Sequence, residues 1–157
     1  MSRPTTPPSL TDKHVLEFCR SISPHSKLIW VRPKRKYDYQ AGHCFPNVLD
    51  YTSKNGGEVA FGWIIWFRPG VFIEAENHAV VRLGKKHLDP TPAKDGEQRL
   101  AFWEDASARP KISKIGGHMR GLHNKHMALT DDPVIHEWIA AKKEQAPLAD
   151  YLWGWPR

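Results

Sequence analysis

Cys44, His78 and Asp89 occur in that order along the chain, and together these residue types can activate a thiol. The thiolate, not the thiol, is the nucleophile, and it forms more readily at a helix N-terminus, where unpaired amides carry partial positive charge. Gly42 precedes Cys44, and Pro46 follows it by two positions. Proline is favoured in the first helical turn, so a helix is predicted from about Phe45 to Ser53 with Cys44 at its mouth. Asn55-Gly56-Gly57 ends that helix. His43 adjoins the cysteine, but neighbouring side chains diverge, so the base must come from elsewhere in the chain.

His78 is the candidate base. It sits in the apolar run Val71 to Leu83, which reads as a strand, so Glu74, Glu76, His78 and Val80 share one face. Lys86 to Asp89 reads as the next strand, and Gly84-Lys85 as the hairpin turn between them. A two-residue turn sets Leu83 opposite Lys86 and Val80 opposite Asp89. Asp89 then lies diagonal to His78, at about 7 Å between backbones, where it can hold the imidazole in one tautomer. A three-residue turn would send Asp89 to the other face, leaving Glu76 as the replacement orienter. An oxyanion hole needs donors. The Cys44 backbone amide is one, and the Gln40 side chain, four residues upstream, is a candidate second. Asn47, one turn into the helix, reads as a donor or as a structural cap.

These residues need a framework. A first helix, capped by Ser9 or Thr11 and running to about Ser21, places Val15, Leu16, Phe18, Cys19 and Ile22 on one broad face. Cys19 in that face is a core residue. Leu28 to Val31 is a short strand. Glu58 to Phe67 is apolar on both faces, as a central strand covered on two sides would be. Gln98 to Trp103 fits strand or helix, and 106–130 resists assignment. Asp131 or Asp132 with Pro133 opens a last helix to about Gln145, with Val134, Ile135, Trp138 and Ile139 facing inward. The aromatic tail Tyr151 to Trp155 is expected to pack back on the body.

The 157 residues suit one domain over 10–157 behind a disordered leader, 1–9. Seven tryptophans and 40% apolar residues argue for a packed core. No run of eighteen apolar residues offers a membrane span, and the N-terminus has no apolar signal region. Two cysteines make neither a disulfide framework nor a cysteine-rich zinc site, so a reducing, cytoplasmic setting is expected. The net charge of +6 gathers in 32–36 and in 106–130, where five Lys or Arg and three His meet no acid. Two solvated basic loops explain this, as does a nucleic-acid or acidic protein partner. His118, His123 and His126, followed by His136, raise a rival metal site, but lysines and arginines crowd the stretch and no His-Glu-x-x-His is present. No metal or other cofactor is expected.

The run His78-Ala79-Val80-Val81-Arg82, then His87-Leu88-Asp89-Pro90-Thr91-Pro92, resembles the His…Asp-Pro-Thr segment of transglutaminase-like cysteine enzymes of the papain-like superfamily. Gly42-His43-Cys44, a helix, Gly56-Gly57 and Val59-Ala60-Phe61-Gly62-Trp63 match upstream in the same order. The resemblance spans about residues 40–92. It implies an α+β fold in which the helix bearing the nucleophile packs on an antiparallel sheet of 58–67, 71–83 and 86–89. It also implies acyl transfer through Cys44 as nucleophile, His78 as base and Asp89 as orienter. Hydrolysis, deamidation and transamidation all remain open, with proteins or peptides as the expected substrates. The alternative is a non-enzymatic basic binding protein that retains the fold.

Overall fold

The computed structural model describes residues 5–34, 38–112 and 119–152, the stretch 145–152 by its backbone alone. In chain order the elements are α1 (Lys13–Ile22), β1 (Leu28–Val31), α2 (Cys44–Asn55), β2 (Glu58–Arg68), β3 (Phe72–Leu83) and β4 (Lys86–Leu88). They continue with β5 (Leu100–Glu104), β6 (Lys111–Ile112), β7 (Met119–Arg120), β8 (Lys125–Ala128) and α3 (Pro133–Leu152). The main sheet runs β1-β5-β2-β3-β4, with β8 also on β3, and its ladders are antiparallel. This is an α+β architecture.

Alternation along β2 and β3 divides the core. On one face Trp63, Ile65, Ile73 and Ala75 pack with Val15, Phe18 and Cys19 of α1. Further along the same face, Ala79 and Val81 pack with Phe45, Val48 and Tyr51 of α2. On the other face Ala60, Ile64, Trp66, Val80, Leu100 and Phe102 form a separate apolar cluster. β2 is therefore covered on both sides, as its unbroken apolar run predicts.

The hairpin after β3 has the two-residue parity. Leu83 pairs with Lys86 and Val81 with Leu88, which leaves Gly84 and Lys85 as the turn. Gly84 takes φ 62, the left-handed conformation such turns need. Asp89 follows β4 on the His78 face and bridges to Pro33, and its carbonyl accepts from Lys34 N at 2.9 Å. On the side of β3 away from β2, β8 covers Phe72 to Ala75 and β4 covers Val81 to Leu83. Residues 76–80 between them belong to neither ladder, and His78 lies in this gap.

Several boundaries differ from the sequence reading. The cap of α1 is Asp12, whose Oδ1 accepts from Val15 N at 3.0 Å, because Ser9 and Thr11 are engaged with each other one turn earlier. The expected leader gives way at Thr5. Thr5 is buried, and Thr6 exchanges backbone hydrogen bonds with Phe67. The segment 98–103 resolves as the strand β5. The unassigned stretch 106–130 holds β6, β7 and β8, and its residues 113–118 lie outside those described. The last helix runs to Leu152; Ile139 is buried, Ile135 is half-buried and Trp138, though exposed, stacks on Phe72, while Val134 is 66% exposed rather than inward. The tail expected to pack back falls outside the described side chains, as do Arg35 and Lys36 of the first basic cluster.

Gly62 stands directly opposite His78. A Cβ there would run into the Trp103 carbonyl oxygen and lie 2.7 Å from the Phe102 ring. Gly62→Ala is therefore expected to destabilise the fold by about 2 kcal/mol or more, since overpacking against backbone relaxes poorly. Urea unfolding measures this, and a change under about 0.5 kcal/mol would contradict the close packing at this point.

Candidate active site

Asp89 is wholly buried. Its Oδ2 lies 2.7 Å from His78 Nε2, and its Oδ1 accepts from Thr91 N at 2.9 Å. A carboxylate only accepts, so Nε2 carries a proton and Nδ1 is the nitrogen left for a second partner. The Cys44 side chain is near enough to the same ring to act on its proton affinity. The hairpin parity thus brings Asp89 to His78, and the helix mouth brings Cys44 to it.

Burial works against a charged His78 ring. The Asp89 charge, the Cys44 charge and hydrogen bonds from both outweigh that penalty, and they raise His78 well above its ordinary value of 6.5. Cys19, by contrast, is pushed up to about 12 by burial, which the nearby Arg20 only partly offsets. The two cysteines therefore sit in opposite settings: one in an apolar core, the other beside a buried histidine–carboxylate pair.

Side-chain amides hold the three parts in place. Asn47 of α2 donates through Nδ2 to the Gln40 carbonyl at 2.9 Å and to Thr91 Oγ1 at 3.0 Å. One amide thus ties the segment before the helix to the turn after Asp89. Asn77, whose side chain points to the opposite face from His78, donates to the Gly62 carbonyl at 3.1 Å and the Ala108 carbonyl at 3.0 Å. Its Oδ1 accepts from Leu122 N at 2.8 Å. Asn77 escaped the sequence reading because its role depends on loops distant in sequence. The turn role of Thr91 had a local signal, since an aspartate commonly accepts from the amide two residues on.

Cys44, His78 and Asp89 all open on a cavity of about 320 Å³, a size that suits a small ligand or a peptide side chain. Its floor is the second sheet face, with Ile64, Trp66 and Leu100. Glu76 lines it too, although the carboxylate on the His78 ring is that of Asp89. Gln40 does not join the site. It is exposed, its side chain is not part of the cavity wall, and its carbonyl serves Asn47. Of the rival metal residues, His126 pairs with Glu74 at 2.8 Å, His136 with the Thr130 carbonyl at 2.8 Å, and His118 lies outside the described residues. Among the described residues no three His, Cys, Asp or Glu side chains are grouped to hold a metal ion, and no helix is long and apolar enough to cross a membrane.

No protein-family model matches this chain, and no curated protein or solved structure matches it either.

The raised His78 value has a consequence for stability. A group whose value rises on folding stabilises in full below its unfolded value, about 6.5, and that contribution is lost as pH rises through the folded value. The unfolding free energy of the wild type minus that of His78→Gln should therefore fall as pH climbs above about 6.5. Urea melts from pH 6 to about 9 measure it, and a difference that stays flat or grows would refute the pairing.

Proposed function

We propose that this protein is a cysteine-dependent acyl-transfer enzyme of the transglutaminase-like, papain-like type, with Cys44 as nucleophile, His78 as base and Asp89 as orienter. The observation that carries the reading is the buried His78–Asp89 hydrogen bond, with Cys44 in the lining of the same cavity. A plain core histidine needs one polar partner. This one has a buried carboxylate partner and shares the lining of a cavity with a cysteine.

The chemistry follows from that arrangement. The sulfur gives its proton to Nδ1 and attacks the carbonyl carbon of an amide or ester. The imidazolium so formed is stabilised by Asp89 through Nε2–H. The Cys44 amide, in the first turn of α2 where amides lack intrahelical acceptors, supports the tetrahedral oxyanion. Collapse breaks the bond to the leaving amine or alcohol, which takes the proton from Nδ1, and a thioester on Cys44 remains. Water or an amine then attacks the thioester with His78 again as base, releasing the acyl product and restoring the thiol. Water gives hydrolysis or deamidation, and an amine gives transamidation.

Iodoacetamide should label Cys44 at pH 7 faster than it labels a free cysteine peptide, while Cys19 stays unmodified in the folded protein. His78→Gln should slow labelling of Cys44 by about tenfold or more, within the range of general-base contributions. An activated ester should leave an acyl group on Cys44 that mass spectrometry locates. Equal labelling of Cys44 in native and His78→Gln protein would overturn the assignment. Binding of nucleic acid that survives Cys44→Ala and falls steeply with salt would favour the basic binding protein instead.

A further inference from the structure

The cavity continues well past the sulfur. His78, Glu76 and Glu74 stand in a row on one face of β3, and four residues of strand separate the first and last by about 13 Å. On β2, Ile64 opposite Glu76 and Trp66 opposite Glu74 form the floor, and Leu100 extends it. At the far end His126 of β8 pairs with Glu74. Its side chain is 3% exposed, and its Nε2 donates to Glu74 Oε2 at 2.8 Å. The remaining nitrogen, Nδ1, is buried with no hydrogen-bond partner among the described residues. A neutral ring with its proton on Nε2 offers Nδ1 as an acceptor.

A second acceptor comes from Glu97, which also lines the cavity. Its Oε2 is buried and has no partner among the described residues. Glu74, Glu76 and Glu97 thus line the cavity and are largely withdrawn from solvent, whereas its lysines, Lys94 and Lys142, are exposed. Arg120 is half-buried in the wall, and its Nε is a donor without an acceptor among the described residues. Buried polar groups are ordinarily paired, so these three atoms describe what an occupant brings. It brings hydrogen-bond donors and positive charge for Glu97 and His126, an apolar stem for Ile64, Trp66 and Leu100, and a carbonyl oxygen for Arg120.

We propose that the cavity beyond the sulfur is a subsite for a basic side chain, of lysine or arginine type, carried on a peptide within one or two residues of the carbonyl that Cys44 attacks. The proposal rests on the acyl-transfer reading and names its substrate class. The peptide link supplies the carbonyl for Arg120, the aliphatic stem covers Trp66, and the cationic tip reaches the Glu97 and His126 acceptors. The span from His78 to Glu74 matches two extended residues followed by one long side chain.

The test removes the sulfur, so that binding is read apart from chemistry. Full-length Cys44→Ser protein is titrated calorimetrically with the capped tripeptide acetyl-Gly-Lys-Gly-amide and with its norleucine and glutamate counterparts. The lysine peptide is expected to bind at least tenfold more tightly than the norleucine one. Glu97→Gln in the same background should shrink that ratio to under threefold, and Glu97→Asp should restore part of it, which a general loss of structure would not do. Equal binding of lysine and norleucine peptides, tighter binding of the glutamate peptide, or no saturation by the lysine peptide up to about 10 mM would each overturn the subsite. Failure here leaves the labelling and acylation of Cys44 untouched. Conversely, a lysine preference in a protein that forms no acyl group on Cys44 would sink the chemistry and leave the subsite standing.

Discussion

A carboxylate with no exposure to water must find its partners inside the fold, and the placement of Asp89 constrains much of this structure. Leaving such a group unpaired costs about 3–5 kcal/mol, a large share of the total stability of a small domain. Here both oxygens are engaged, one by the Thr91 amide and one by the His78 ring. Those partners come from the turn after β4 and from the middle of β3, so the hairpin between them has one acceptable register. The bridge to Pro33 and the Lys34 amide bring the segment after β1 to the same point. Satisfying one buried charge thus fixes three parts of the chain relative to each other.

The sheet divides its labour between its faces. One face is filled by α1 and α2 and supplies apolar packing, with Trp63 and Trp103 among the most fully buried side chains. The other carries His78 and the cavity. Strand β3 belongs to both, because alternate residues point opposite ways. Asn77 and His78 are neighbours in sequence with opposite duties: the amide anchors loops against the helix side, and the imidazole faces the cavity side. Cys44 connects the two faces. It packs in the cluster beneath α2 with Ala79, yet it lines the same cavity as His78, which lies on the unladdered stretch of β3.

Much of this was legible in the residues because the signals are local. Gly42, Pro46 and Gly56-Gly57 bracket α2, and Gly84-Lys85 sets the parity that decides the face of Asp89. The parity of a turn is a two-way choice, so a short motif can settle it. What was not legible depends on distance along the chain. The Asn77 amide reaches Ala108 and Leu122, and His126 reaches Glu74 across fifty-two residues. Neither pairing leaves a mark in periodicity. Gln40 illustrates the opposite error. Its proximity in sequence suggested a donor near the sulfur, but the chain turns so that its carbonyl, not its side chain, faces α2. Val134 was misplaced because an apolar helix position can be left uncovered when only one side of the helix has a neighbour.

The divided outer border of β3 has a further consequence, for how copies of this chain meet one another. A long strand at the border of a sheet offers a continuous row of backbone groups to any other extended chain, and so invites aggregation. Here that border is capped by two separate short strands, β8 of four residues and β4 of three, each bearing a lysine, Lys125 and Lys86. Neither is long enough to template an intruding strand, and the charges discourage one. The opening that admits a sulfur to the sheet therefore also breaks up the surface along which sheets would otherwise fuse, so that access for chemistry and protection against self-association have the same structural origin.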